Sequence, residues 1–271
     1  MAFPLIGYLS VAELSTASIT DPGTASGFAV GNLIDHRAFS LWKSDDTTSP
    51  INIDIDTGAT GTADYLCLVN HNLATLGATV TLQSDSDPAY GSPSTLQAAF
   101  TPPEDTVTFK AFSSGGERYW RVIITAPAPP FSAAPYIGVL KLGVRTTLTE
   151  MLNPEVDPFM SQVEVRGERS EGGHYLGAIL GGKQHRAELA FGGPAGMARS
   201  FLTSDLNAFF DDHAFKRRPF VFVLDTADSD FSVARWVKVP DGAEVSRAPV
   251  GGMWNRMVVR VPIEEALSES A

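Results

Sequence analysis

Ile51-Asn52-Ile53-Asp54-Ile55, then Asp64-Tyr65-Leu66-Cys67-Leu68, then Thr79-Val80-Thr81-Leu82-Gln83-Ser84 decide how this chain folds. In the first run apolar and polar residues alternate. Successive side chains of an extended chain point to opposite faces, so one face is buried and the other is wet. The runs at 51–55 and 64–69 are short, rich in β-branched or aromatic residues, and bounded by Gly, Asp, Asn and Thr. That is strand chemistry with turn punctuation. Upstream stand Asn32-Leu33-Ile34-Asp35 and Trp42-Lys43-Ser44; downstream, His71-Asn72-Leu73 leads into the third run.

Outward from this stretch, Thr106-Val107-Thr108-Phe109-Lys110-Ala111-Phe112 alternates again. Gly115-Gly116 is expected to turn it into a strand at 119–125, and 136–143 closes the set. Trp42 and Trp120, beside apolar strand residues, are expected in the core. Between 84 and 103, Pro88, Pro93, Pro102 and Pro103 predict a long polar loop. The prolines at 127, 129, 130 and 135 exclude a central strand there. Residues 1–20 open with Phe3-Pro4-Leu5-Ile6-Gly7-Tyr8-Leu9, an edge strand or an arm. Pro154 and Pro158 mark a polar connection at 146–158, which divides the chain into domains 1–148 and 149–271.

The second half changes rhythm. Gln162-Val163-Glu164-Val165-Arg166 and Arg186-Ala187-Glu188-Leu189-Ala190-Phe191 alternate, and a glycine-rich loop is expected between them at 171–182. Leu202, Leu206, Phe209 and Phe210 fall at i, i+4, i+7 and i+8, the apolar face of one amphipathic helix. Lys216-Arg217-Arg218 suits a helix C-terminus, and Pro219 ends it. Strands are expected at 220–224, 235–239 and 256–261.

Length and composition agree with two domains: 271 residues, 44% of them hydrophobic, with 24 Gly and 18 Pro spread through the chain. Abundant Gly and Pro favour β structure with many turns. No run approaches a membrane span, and no signal-peptide pattern is expected. The net charge is −11. Residues 1–148 carry 7 basic and 13 acidic groups, or −6; residues 149–271 carry 13 and 18, or −5. Neither half has the basic footprint of a nucleic-acid binder.

Catalytic and metal motifs are absent. The chain has no Gly-x-Ser-x-Gly, no His-Glu-x-x-His and no phosphate-binding loop, and so no cofactor or metal is expected. The lone Cys67, between Leu66 and Leu68, reads as a buried inert thiol rather than a nucleophile. His71 reads as a turn histidine bonding backbone rather than a general base. Asp54 and Asp56 share a strand face; they read as solvated edge residues rather than a catalytic pair. Asp225-Thr226-Ala227-Asp228-Ser229-Asp230 looks like a calcium loop but lacks the Gly and distal Glu of that pattern, and reads better as a hairpin turn.

Asn32-Leu33-Ile34-Asp35, Trp42 and Tyr119-Trp120-Arg121-Val122, in this order, resemble the discoidin or galactose-binding-like family over residues 28–145. The resemblance implies a jelly-roll β-sandwich with ligand loops at one end. Asp85, Asp87 and Tyr90 are the candidates on such a loop, Tyr90 as a stacking ring; a solvated loop is the plainer reading. Ser170-Glu171-Gly172-Gly173, Phe209-Phe210, Arg218-Pro219-Phe220-Val221-Phe222 and Pro262-Ile263-Glu264-Glu265-Ala266 resemble the tube-like domain of phage tail-tube and distal-tail proteins over 159–267. This implies a β-sandwich with one packed helix. It also implies a homo-oligomeric ring, commonly a hexamer, in the virion tail, with tail-tube and tail-tip hub proteins as partners. Tyr175, Leu176, Ile179 and Leu180 would then lie at a subunit interface.

The function expected is thus a structural tail-tip protein, not an enzyme, with an outer domain touching host glycans. The alternative is a carbohydrate-binding module protein that works alone. A glycan-cleaving enzyme would need two placed carboxylates.

Overall fold

The computed structural model describes residues 4–14, 16–149, 160–169, 171, 174–192, 197–204, 206–224, 234–250 and 253–267. The chain is mainly β, in antiparallel sheets. It forms two compact units, residues 1–147 with 221–235, and residues 148–220 with 236–271.

The first unit holds β1 (Leu5–Gly7), β2 (Ser18–Thr20), β3 (Trp42–Lys43), β4 (Ile51–His71), β5 (Thr79–Asp85), β6 (Ser94–Phe100), β7 (Val107–Thr125), β8 (Tyr136–Gly143) and β9 (Arg145–Thr147). One sheet runs β3-β8-β4-β7-β5-β6, with β2 added beside the start of β4. The runs at 51–55 and 64–69, expected as two strands, are one strand. So are those at 106–112 and 119–125. Glycine did not end them, because the chain stays paired through it: Thr62 faces Gly116 and Ala63 faces Gly115. Gly115 is needed for space, since a Cβ there would lie 2.8 Å from the Leu96 Cδ1.

Register shifts between Asp56 and Gly61, and between Ala63 and Tyr65, divide the β4–β7 ribbon into two arms. Residues of both arms meet in a single core. Ile51, Ile53, Ile55, Trp120, Val122 and Ile124 of the first arm join Leu66 and Leu68 of the second, with Trp42, Val80, Leu82, Leu140 and Leu142. Trp42 and Trp120 are fully buried, as expected. Their indole N–H groups donate to Asp21 Oδ2 at 2.6 Å and to the Glu117 carbonyl at 3.0 Å, so neither leaves a buried donor unpaired.

Two further segments depart from expectation. β6 lies in the stretch expected to be all loop; Pro93 precedes it and Pro102 follows it, the positions an edge strand tolerates. β1, expected to be an edge strand or arm, is paired on both sides, with β9 and with segment 221–223. It is buried because Gly7 lets the backbone close on the sheet. A Cβ there would sit 2.8 Å from the Tyr65 ring and 2.7 Å from Val221.

The second unit holds β10 (Met160–Arg169), β11 (Tyr175–Phe191), β12 (Met197–Ala198), most of β14 (Ala234–Lys238), β15 (Ser246–Val250) and β16 (Met253–Glu265); β13 (Phe220–Val223) contributes Phe220. β16 pairs with β11, β12, β14 and β15. The glycine-rich segment expected as a loop is largely strand. β10 and β11 pair from Met160–Arg186 to Arg169–Tyr175. The glycines stay in the strand because hydrogen bonds to β10 hold their backbone.

The expected single helix is broken into α1 (Arg199–Ser204), a short α2 (Asn207–Phe209) and a π-turn at Phe210–Ala214. The Phe215 N–H donates five residues back, to the Phe210 carbonyl at 2.9 Å. Its apolar face is nonetheless buried as expected: Leu202, Leu206, Phe209 and Phe210 are all in the interior. Phe209 packs edge-on against Phe220 with centroids 4.8 Å apart. β15 escaped the sequence reading because Pro249 sits in it, at a register shift.

Trp120→Ala is expected to lower the stability of the first unit by about 3–5 kcal/mol, read as a shift in the urea midpoint. Gly7→Val should cost about 1–3 kcal/mol by overpacking against Tyr65 and Val221, measured in the same way.

Candidate functional site

The face of the β4–β7 ribbon opposite the core has two different halves. On the second arm, Tyr65, Cys67, Val69 and Phe109 are buried there, beside Val139 of β8. Tyr65 stacks on Phe109 with centroids 5.4 Å apart and donates to the Leu9 carbonyl at 2.6 Å. On the first arm the same face carries Asn52, Asp54 and Asp56 of β4, Tyr119, Arg121 and Ile123 of β7, and Thr81 and Gln83 of β5, all partly open to solvent.

Ion pairs organise this open half. Arg121 donates Nε and Nη2 to the two oxygens of Asp54 at 2.6 and 2.9 Å. Arg118 does the same to Asp56 at 2.7 and 2.9 Å. Both are bidentate, the geometry in which guanidinium and carboxylate match best. The Arg118 hydrogen bonds hold the Asp56 carboxyl below the usual carboxylate range, and Asp54 raises the Arg121 pKa. Asp54 and Asp56 are therefore not solvated edge residues: β4 is central, and each carboxylate is occupied. The pairing was hidden because each arginine lies more than sixty residues downstream.

The predicted loop residues converge on the same place. Asp85, the last residue of β5, accepts the Asp87 N–H at 3.1 Å and the Ser92 N–H at 3.2 Å. These bonds lower its pKa, the Asp87 N–H most. Asp87, exposed, accepts the Ala89 N–H at 2.9 Å. Tyr90 has a left-handed backbone, φ 51°. Its ring lies over the Arg121 guanidinium, 3.8 Å from the ring centroid, and burial pushes its hydroxyl pKa up. Tyr90 is thus already half of a stack.

The side chains of Tyr175, Leu176, Ile179 and Leu180 lie outside the described residues, as does segment 225–230; the backbone at 175–180 is strand β11. Cys67 is fully buried and burial pushes its thiol up, as an inert thiol requires.

A second feature, Phe39, was missed by the sequence reading. It is the most exposed large apolar residue among the described ones, at 78%. Its loop is fastened on every side. The Asn70 side chain donates to the Ala38 carbonyl at 2.5 Å, and the Asn32 side chain to the Leu41 carbonyl at 2.8 Å. Gly138 lets that Ala38 carbonyl approach so closely that a Cβ would lie 2.3 Å from it. His36, at φ 63°, sets its Nδ1 3.1 Å from the Lys141 ammonium. Lys141 is fully buried and donates to Glu13. An exposed ring at the centre of so many constraints leaves no periodicity to read; only the isolated Phe between Ala38 and Ser40 signals it.

No protein-family model matches the chain, and no curated protein matches it. Among solved structures, it is similar to chitosan-binding module 1 from a chitosanase/glucanase of Paenibacillus sp. IK-5, at 20% identity over 50% of this chain and 98% of that one, with a TM-score of 0.41. It is also similar to CpGH89CBM32-6 of Clostridium perfringens, at 14% identity over 49% and 98%, TM-score 0.40. Its likeness to SpGH29 covers 50% of this chain and 28% of that one, at 22% identity and a TM-score of 0.40.

His71 is fully buried, and its Nδ1 accepts the Leu73 N–H at 3.3 Å, the backbone bond expected of it. Its Nε2 lies 3.1 Å from the Thr108 hydroxyl. Burial outweighs the nearby Asp105 and pulls the His71 pKa down to about 4. An unfolded histidine takes up its proton near pH 6.5, so the unfolded state binds more protons between pH 6.5 and 4. Stability from this residue is complete above pH 6.5 and falls by up to about 3 kcal/mol as the pH drops to 4. Urea midpoints against pH should show this fall in the native protein and lose most of it in His71→Gln.

Proposed function

We propose that the chain is a non-catalytic glycan-binding protein whose first unit meets sugar through the 35–41 loop. The observation that carries this is Phe39, 78% exposed on a loop fixed from beneath by Asn70, Asn32, Gly138 and His36. A pyranose has an apolar face of C–H groups and a rim of hydroxyls. The phenyl ring takes the face, and the exposed Arg37 and the half-buried Ser40 stand beside it for the rim. Because the loop is already ordered, binding carries little further ordering cost.

Hydrolysis fits the chain poorly. A glycosidase needs a protonated carboxyl and a second carboxylate across the scissile bond. Asp54 and Asp56 are each clamped by an arginine, and Asp56 is held ionised. On a glycan array, Phe39→Ala should lose at least tenfold in affinity with the melting temperature unchanged. Equal binding by the variant sinks the loop reading.

The tail-tip reading draws support from a separate feature. Among the described residues, 175–185 of β11 pair with β10, and the pairing with β16 begins at Arg186. Eleven residues of strand make a ribbon about 35 Å long. A ribbon of that reach suits an arm between subunits of a ring joining tail tube to tip in a phage virion. The protomer is 29.0 kDa. Light scattering should then return a multiple of this mass, six-fold for a hexamer; a monomer at high concentration argues for the stand-alone module.

A further inference from the structure

We propose that the open half of the sheet face, centred on Arg121 and Tyr90, is a second binding surface, and that it takes a neutral polysaccharide chain laid across the strands. It shares no residue with the Phe39 loop and stands on different observations.

The first is the register. Thr20 pairs with Asp54, Asp54 with Arg121, Arg121 with Gln83, and Gln83 with Thr95. Five adjacent strands therefore present one row of hydroxyl, carboxylate, guanidinium, amide and hydroxyl. Strands lie about 4.8 Å apart, so the row is about 19 Å long, enough for several sugar units. Beside it runs a shorter row, Ser18, Asp56 and Tyr119, which ends at the buried Asp85. Donors and acceptors alternate along the exposed groups of both rows, which is the pattern that a line of sugar hydroxyls can answer.

The second is charge. Asp54 and Asp56 are matched by Arg121 and Arg118 in bidentate pairs, and Asp85 is satisfied by backbone N–H groups. Neither guanidinium is left to neutralise a polyanion, and Asp85, whose charge the N–H groups stabilise without cancelling, adds to the repulsion of one. A neutral polyol, by contrast, loses nothing by this balance: the outer lone pairs and N–H groups of a formed ion pair still hydrogen-bond hydroxyls.

The third is Tyr90. The chain holds a non-glycine residue at φ 51° there, through the Tyr90 N–H to the Asp87 carbonyl at 3.0 Å and the Asp85 and Asp87 turns. The outcome is an aromatic ring over the row, with its centroid 3.8 Å from the guanidinium carbon. Tyr90 remains half-buried, so part of the ring is open for a sugar's C–H face.

The test is affinity electrophoresis of the full chain in gels containing galactomannan, hydroxyethylcellulose or polygalacturonate. Native protein should be retarded by at least one of the neutral polymers and not by polygalacturonate. Tyr90→Ala and Gln83→Ala should each weaken that retardation at least fivefold with an unchanged melting temperature, while Phe39→Ala keeps it. Retardation unaltered by Tyr90→Ala but abolished by Phe39→Ala overturns this surface and leaves the loop reading standing. Array binding lost in the loop variant, with retardation lost only in Tyr90→Ala, supports both. Absence of retardation in both neutral polymers, or retardation by polygalacturonate alone, overturns the proposal.

Discussion

β4 and β7 pair from Ile51 and Ile124 at one end to Val69 and Val107 at the other, and the first unit is built on that ribbon. Its two register shifts let both arms contribute to one core. With the inner face committed, the chemistry of the outer face follows from what covers it. Where β1 and its neighbours close over the second arm, the residues are Tyr65, Cys67, Val69 and Phe109. On the first arm, where the Tyr90 ring lies over Arg121, they are Asp54, Asp56, Arg118 and Arg121, paired across the strands. The exposed pairs add little to stability: surface ion pairs are worth about 0–1 kcal/mol. Their chemistry is better explained by what the face meets.

The alternation at 51–55 and the two tryptophans were legible because burial acts through a period of two, which a sequence displays directly. The apolar quartet Leu202, Leu206, Phe209 and Phe210 was legible for the same kind of reason. Its break into α1, α2 and a π-turn was not, since a π-turn changes hydrogen bonding while leaving the apolar spacing nearly intact. Glycine was the main source of error. At Gly115-Gly116 and along 175–182 it reads as a turn, yet in both places the residue serves pairing: one accommodates Leu96, the other lies within a hydrogen-bonded hairpin. Glycine permits a turn and does not require one.

Of the candidate site, Tyr90 and Asp85 were found from the sequence, but as ligand groups on a free loop. The structure makes Asp85 the brace of that loop and Tyr90 a ring resting on Arg121. Arg118 and Arg121 were missed as site residues, and only strand register could have shown them. Tyr119-Trp120-Arg121 did carry the signal in part: with Trp120 inward, both its neighbours must face out.

Backbone strain supplies an independent argument for where function lies. Four non-glycine residues among those described have a left-handed backbone: His36, Asn70, Tyr90 and Arg217. Such a backbone is uncommon outside glycine, and it persists only where surrounding contacts over-determine it. His36 and Asn70 both hold the Phe39 loop, one through Lys141 and the other through the Ala38 carbonyl. Tyr90 is the residue that covers the Arg121 row. Three of the four strained positions thus stand at the two proposed surfaces. Polar contacts hold them there: the Asn70 side chain donates to the Ala38 carbonyl, His36 Nδ1 stands beside the Lys141 ammonium, and the Tyr90 N–H donates to the Asp87 carbonyl. Each of these contacts fixes the position of Phe39 or of the Tyr90 ring.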